Sequence, residues 1–593
     1  MLSLQLCFFL ALILPAKTLC DVTNSAIPSN CAKRTAGGIH LPLLRQITSN
    51  TAKNASQTGA IGMGDFLDVT YNVLIEIGPV STPVVLDTGS SDLWVLSTAC
   101  GAVCSSGKEP LYPLSTFHST NLEAQLLYGD SMTGTHASGP IGFDTISLAG
   151  LVLENQYFAA INDTNTAVLE TQSAGIFGLG FPLNSIVWNQ VFLTQQSPAP
   201  PAKALRSTED TPFSVANALR NLVIKFFPKT HLNASTPSST SSFPPSSQSS
   251  RANIKRQAAS SMSNSAIFSS YTTIAPFLPR LVALGLLALP MFTVTLQRDT
   301  IDIGGNQGTL SIGELPHTVQ NASLTWVPVR GYPPSQSGLA PPVDSPNEVY
   351  PIAWEIPVDD VYFDGTKLPR SSLSSPSISL SALIDTGNSL IRGPADVVSQ
   401  IPMHLSCSTP HALVFQIGGK LFPVDPRDFI SQARSGSVDD CVANIAATDT
   451  PILGKGYLYS WSLGDPFLKS VLAAFYYGDF ARPSLDPARI GLLSTVPSDA
   501  AAKLVASVGA AKANGMDLPE TTDPAPPSLP PTQSTPANGV PLAPARSGEH
   551  GDGTGGTGGE GQANGVRNAM RVNVWSVLIG LGLWVVGVGR GFV

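Results

Sequence analysis

The chain has 593 residues, more than one ordinary domain needs, so several domains or long unstructured additions are expected. Hydrophobic residues make up 43% and charged residues only 12%, with 52 Gly and 50 Pro, which suits a β-rich, loop-rich chain better than a helical one. The net charge of -8, with no concentrated basic stretch, argues against a nucleic-acid partner and for a mildly acidic secreted protein.

The apolar run Leu6–Leu14, followed by Pro15 and Thr18-Leu19-Cys20, has the length of a signal-peptide core and is too short to span a bilayer. Residues 1–20 are therefore read as a signal peptide. Lys33-Arg34 is a dibasic pair of the kind cut by kexin-type processing enzymes, which makes 21–34 a short propeptide, with an extension to about residue 60 left open. Asn54, Asn162, Asn233 and Asn321 each begin an Asn-x-Ser/Thr triplet and are N-glycosylation candidates on the secretory route. Of the seven cysteines, Cys7 and Cys20 fall in the leader and Cys31 just before the dibasic pair. Cys100, Cys104, Cys407 and Cys441 remain, an even number that predicts two disulfides in an oxidising compartment. Three pairings are open; the sequence-local one, Cys100–Cys104 with Cys407–Cys441, keeps each bridge within its own half of the chain.

From Phe66 to Val95, apolar and polar residues alternate around a Gly78-Pro79 turn, which predicts successive strands, and this texture continues to about Trp188. Ser, Pro, Thr and Ala then dominate residues 195–270, read as a disordered insertion carrying O-linked sugar. It holds Lys255-Arg256, a second processing site at which the chain is expected to be nicked in two. The apolar stretch Phe277–Leu289 is interrupted by Pro279 and Arg280 and ended by Pro290, so it predicts a buried helix leading into a strand Phe292–Gln297 rather than a membrane span. Strand-like segments resume through Leu493. Residues 498–565 read as a Pro/Gly/Thr-rich stalk, and 566–593 as a GPI-anchor signal of small site, polar spacer and apolar tail. A transmembrane helix over Val574–Gly589 is the alternative.

Two segments share a pattern: Val84-Val-Leu-Asp87-Thr-Gly-Ser-Ser and Ala382-Leu-Ile-Asp385-Thr-Gly-Asn-Ser, their aspartates 298 positions apart. One Asp-Thr-Gly is an ordinary strand end, since Asp and Gly are turn formers. Two, each on an apolar strand, suggest a pair of carboxyl groups brought together. Hydrolysing a peptide bond without a metal or a covalent nucleophile needs one group to accept a proton from water and another to donate one. Two adjacent carboxyls sharing a proton meet that need, because mutual repulsion drives their pKa values apart. Glycine after threonine lets the two loops approach closely.

Asp87-Thr-Gly-Ser-Ser-Asp-Leu-Trp-Val95 resembles the first active-site motif of the pepsin-like aspartic protease family, and Asp385-Thr-Gly-Asn-Ser resembles the second. The match runs in order over about Phe66–Leu493. It implies a mainly β, bilobal acid-protease fold with the cleft between two β-rich lobes, 61–320 and 321–497, the first carrying the insertion. It implies an aspartic endopeptidase working at acidic pH on polypeptide substrates, with Asp87 and Asp385 catalytic, blocked by pepstatin-type inhibitors and needing no cofactor or metal. Thr88, Gly89, Ser90, Thr386, Gly387 and Asn388 would support the pair. Tyr128-Gly129-Asp130-Ser-Met-Thr-Gly134 resembles the flap that closes over substrate, with the Trp94 indole bonding the Tyr128 hydroxyl. Gly175–Gly180 resembles the element beneath the first aspartate loop, and Leu463–Leu468 with Arg489–Leu492 resembles the family's closing segment. The family's two common disulfides fall at Cys100–Cys104 and Cys407–Cys441.

Two positions depart from the pattern. Asn388 replaces a Thr or Ser whose hydroxyl donates to the outer carboxylate oxygen, and its amide is expected to donate instead. Ser462 replaces an apolar residue, which leaves the packing there open. Asp130 resembles an acidic flap residue that in some fungal members admits a basic side chain before the scissile bond; a solvated turn carboxylate is the plain alternative. Anchor and insertion together resemble the organisation of the yapsin group of fungal surface proteases, and imply a monomer at the cell surface, attached through a GPI anchor. The competing reading is a noncatalytic cell-surface adhesin or wall glycoprotein on the same fold.

Overall fold

In this computed structural model the described residues are 69–196 and 263–518, less 102–103, 105–108, 129–134, 149–150, 170–172, 297–308, 317–318, 337, 375–378 and 449–458, together with the strands Lys33–Arg34, Ile39–Pro42 and Leu44–Ile47. The leader, most of the insertion with Asn233 and Lys255-Arg256, Asn54, the flap tip with Gly129 and Asp130, and the tail beyond residue 518 lie outside the described residues.

An apolar run leads into each Asp-Thr-Gly, and each becomes a largely buried strand, Val80–Asp87 and Ser381–Ile384. Around them the two halves repeat one ladder. Val80–Asp87 runs parallel to Gly175–Gly178, which pairs antiparallel with Leu93–Leu96, itself parallel to Leu151–Ile161. Ser381–Ile384 runs parallel to Trp461–Leu463, which pairs antiparallel with Ile391–Pro394, itself parallel to Ile445–Thr448. The first ladder sits in a nine-stranded sheet and the second in a five-stranded one. A seven-stranded sheet joins the halves: Met291–Thr295, flanked on one side by Thr309–Ile312, pairs on the other with Val471–Tyr476, which pairs in turn with Arg489–Ser494. The mainly β, two-lobed expectation holds.

Three boundaries read from composition need correction. Helix Ile186–Gln196 and helix Asn264–Ile274 cut into the expected insertion 195–270 from both sides. The Ser-rich composition hid an apolar stripe, Ile267, Tyr271 and Ile274, at helical spacing, and all three are buried. Trp188 Nε1 donates to Ser270 Oγ at 2.9 Å and the Trp188 ring meets Tyr271 edge-on, so the two ends of the insertion are pinned side by side.

The stalk does not begin at residue 498. Helix Ala500–Ala513 packs on the second lobe, with Leu504, Val508 and Ala511 in the core. Its alanine content favours helix, and three apolar positions at i, i+4, i+7 suffice to dock it. Beyond it, the Gln432 amide donates to Met516 O and Asp517 accepts from Gly436 N.

The Phe277–Leu289 stretch is helical only over Phe277–Ala283, and the strand that follows is Met291–Thr295. Gly285 takes φ +64°, which ends the helix, and Leu284, Leu286 and Leu289 are exposed.

Candidate active site

Asp87 ends its strand and Asp385 follows directly on its own, and the two loops that follow meet face to face. The two carboxyls lie close enough that the Asp87 charge helps to raise Asp385. A Cβ on Gly89 would lie 2.3 Å from Asp385 Oδ1, and one on Gly387 would lie 2.5 Å from Asp87 Oδ1, so glycine is required at both places. Each Gly N–H serves its own loop: Gly89 N donates to Asp87 Oδ1 at 2.8 Å, and Gly387 N to Asp385 Oδ1 at 3.0 Å. Behind them the threonines cross. Thr88 N–H donates to Thr386 Oγ1 at 3.0 Å, and Thr386 N–H to Thr88 Oγ1 at 3.0 Å.

The outer oxygens are treated differently. Ser90 Oγ donates to Asp87 Oδ2 at 2.5 Å. Asn388, at the matching place, does not reach Asp385; its Nδ2 donates to Ser462 Oγ at 2.9 Å, and it is Ser462 Oγ that lies 3.5 Å from Asp385 Oδ2. The expected direct amide donor is therefore corrected, and the Ser462 departure gains a polar contact rather than a packing fault.

Burial lifts both carboxyls above the usual range. Asp385 is pushed up to about 8, by burial first and then by the neighbouring Asp87 charge. Asp87 is also raised by burial, opposed by the Ser90 hydroxyl and the Gly89 N–H. With both carboxyls raised and one feeling the other's charge, the pair favours holding one proton between them over two free charges.

The hairpin strands His118–Tyr128 and Thr135–Leu148 carry Tyr128, and Trp94 Nε1 donates to its Oη at 2.6 Å as expected. Strand Gly175–Gly178 supports the first loop from below: Leu179 N donates to Asp87 O at 2.8 Å and Gly180 N to Ser90 O at 2.8 Å. Leu179 O in turn accepts from Trp354 Nε1 at 3.0 Å and Tyr477 Oη at 2.6 Å, both in the second lobe. Asp92, read in sequence only as part of the motif, accepts from Ser185 Oγ and from the N–H groups of Ile186 and Val187, and so caps the helix beside the site. Its carboxylate partners come from a segment 93–95 positions away, which no local pattern announces.

Cys100 pairs with Cys104 and Cys407 with Cys441, at Cα separations of 5.5 and 5.1 Å. Asn162 and Asn321 are both exposed, and Asn321 Oδ1 accepts from Trp326 Nε1.

Comparison with known proteins agrees with this geometry. A family model described as eukaryotic aspartyl protease matches residues 70–198 and 258–482, more than half of the chain. The chain is similar to Pepsin A of Rhinolophus ferrumequinum, 24% identical over 446 residues that span 72% of this chain and 83% of that protein. It is similar to Cathepsin E-A of Xenopus laevis, 24% identical over 452 residues, 73% of this chain and 81% of that one. A shorter stretch of 148 residues, 23% of this chain and 37% of the relative, is 36% identical to a pregnancy-associated glycoprotein of Equus caballus. With paired Asp-Thr-Gly loops, a family model laid over both lobes and relatives that span most of its length, the chain belongs to the eukaryotic aspartyl protease family.

Proposed function

We propose that this aspartic endopeptidase works through Asp87 and Asp385, which share one proton and activate a water between them. The observation that carries this is the close meeting of the two carboxyls, each pressed against the other loop's glycine so that Gly89 and Gly387 are closed to any side chain. Asp87, as carboxylate, takes a proton from the water as its oxygen bonds to the peptide carbonyl carbon. Asp385 gives its proton to the carbonyl oxygen, leaving a neutral tetrahedral diol. In the second step one diol hydroxyl returns its proton to Asp385, while Asp87 passes the proton it took to the leaving nitrogen, and the C–N bond breaks without an acyl-enzyme. The Trp94–Tyr128 bond holds the hairpin leg over the reacting carbonyl. Cleavage of a peptide library at acidic pH tests this reading. Pepstatin-type inhibition and loss of all cuts in Asp87→Asn support it; cuts that survive the substitution sink it.

The same reading extends to residues outside the described ones. The leader, the dibasic pairs and the C-terminal pattern support a chain that enters the secretory pathway, is nicked at Lys255-Arg256 and is held at the cell surface by a GPI anchor. Among the described residues no helix is long and apolar enough to cross a membrane. Failure of phosphatidylinositol-specific phospholipase to release the protein would exclude the anchor. Each disulfide lies within its own half of the chain and neither spans Lys255-Arg256, so a nicked enzyme separates into two bands on a denaturing gel without reductant. A single full-length band would exclude the nick.

A further inference from the structure

The second aspartate loop lacks the hydroxyl that the first one carries three residues after its aspartate, and the facing strand carries one instead. In the first lobe Ser90 is the donor, and the residue opposite Val85 on the parallel strand is Ile176, 1% exposed and apolar. In the second lobe the corresponding loop residue is Asn388, and the residue opposite Leu383 on the parallel strand is Ser462. Hydroxyl and non-hydroxyl have changed places between loop and strand.

Hydrogen-bond accounting fixes how this pair is oriented. The Leu390 N–H needs an oxygen and finds Asn388 Oδ1 at 3.2 Å, which turns Nδ2 toward Ser462. An amide NH₂ only donates, so Ser462 Oγ meets it with a lone pair and keeps its own proton for Asp385 Oδ2. Both residues are buried, so bulk water competes little for these bonds. The loop and strand are locked at this spot: Asp465 N donates to Asn388 O at 2.8 Å, and a Cβ on Gly464 would fall 1.8 Å from that same oxygen.

We propose that Ser462, oriented by Asn388, is the positioning hydroxyl for Asp385, doing from the neighbouring strand what Ser90 does for Asp87 from within its own loop. The inference rests on the assignment of Asp87 and Asp385 as the catalytic pair. At 3.5 Å the Ser462 contact is looser than the 2.5 Å contact of Ser90, so Asp385 is the less stabilised anion and the natural holder of the shared proton.

The test compares pH profiles of kcat/KM for the full chain and the variants Ser462→Ala, Asn388→Leu, Ser462→Thr and the exchange Asn388→Thr with Ser462→Val. Ser462→Ala and Asn388→Leu are each expected to lower kcat roughly three- to tenfold, the worth of one hydrogen bond. Both should move the basic limb of the profile upward, because ionised Asp385 loses a donor. Ser462→Thr restores the profile. The exchange variant also restores it, since the threonine hydroxyl placed in the loop by Asn388→Thr would donate as Ser90 does. Ser462→Ala with Asn388→Leu is no worse than either alone. A lower Tm with an unmoved profile in Ser462→Ala would overturn the proposal, as would a profile moved by Asn388→Leu but not by Ser462→Ala. Should Ser462→Ala not fold, the exchange variant decides: inactivity with wild-type Tm overturns it. Asp87→Asn, run alongside, separates the readings. An active Asp87→Asn removes the catalytic pair itself, whereas an inactive one with an unmoved Ser462→Ala profile removes only the role of Ser462.

Discussion

Thr88 and Thr386 hold each other's loops through both functions of each hydroxyl. Thr88 Oγ1 donates to Ile384 O at 2.8 Å while accepting the Thr386 N–H, and Thr386 Oγ1 donates to Leu86 O at 2.7 Å while accepting the Thr88 N–H. Both residues are buried, so no water replaces a lost partner. Thr88→Val keeps the shape but leaves an N–H and a carbonyl unpaired, and is expected to cost about 1–3 kcal/mol for each stranded group. Thermal unfolding should show this for either single variant. The double variant should cost less than the sum of the singles, because the two hydroxyls serve one network. Additive losses would mean that the threonines act independently.

Gly89→Ala and Gly387→Ala separate chemistry from folding. Each new methyl would press on the opposite carboxyl, at 2.3 Å from Asp385 Oδ1 or 2.5 Å from Asp87 Oδ1. Neither glycine has a positive φ, so the backbone tolerates alanine and the collision is with the partner loop. A displacement on the order of 1 Å is enough to lower kcat/KM about 100-fold. Peptide cleavage at acidic pH measures it. Near-normal turnover in both variants would show that the carboxyls do not meet this closely.

How far the sequence foretold this site varies from residue to residue. The two Asp-Thr-Gly segments, Tyr128, Trp94 and both disulfides could be placed because each sits in a contiguous motif or a sequence-local pair. The Asn388–Ser462 bond could not, since its partners are 74 positions apart and each looked like an isolated departure. Helix Asn264–Ile274 was hidden by serine content, and helix Ala500–Ala513 by its closeness to a Pro-rich stretch. In both cases three apolar residues at helical spacing outweighed composition, because burial in an existing groove stabilises a helix that is marginal alone.

Stability should fall as pH rises from acid to neutral. A carboxyl whose folded-state pKa lies above its unfolded value contributes stability in full below the unfolded value, and that contribution is lost as pH rises through the folded one. Burial and the Asp87 charge lift Asp385 from its ordinary 3.8 to about 8, and burial raises Asp87, Asp92 and Glu355 as well. For Asp385 the window of loss thus runs from 3.8 to about 8. Tm measured across this range should decline, and Asp385→Asn should flatten the decline. A Tm that climbs with pH over the same range would contradict the burial of these groups.

The helix Ala500–Ala513 belongs to the catalytic body. Leu504 is 0% exposed and Val508 1%, and the chain stays bonded to the strand pair below it through Leu518 N and Gln432 Oε1. Leu504→Ala is expected to destabilise by about 2–5 kcal/mol, as for other buried leucines cut to alanine. A chain ending after residue 518 should keep its Tm, whereas one ending at 497 should lose several degrees or aggregate. Equal stability of the two truncations would assign the segment to the stalk after all.

The central claim is that Asp87 and Asp385 form one catalytic unit, and kcat/KM of Asp87→Asn on a single peptide at acidic pH tests it most directly. The substitution is nearly isosteric and removes the group that accepts the water proton. A drop of roughly 10²–10⁴-fold with Tm close to that of the parent is the expected result. Turnover within a few-fold of the parent would contradict the account.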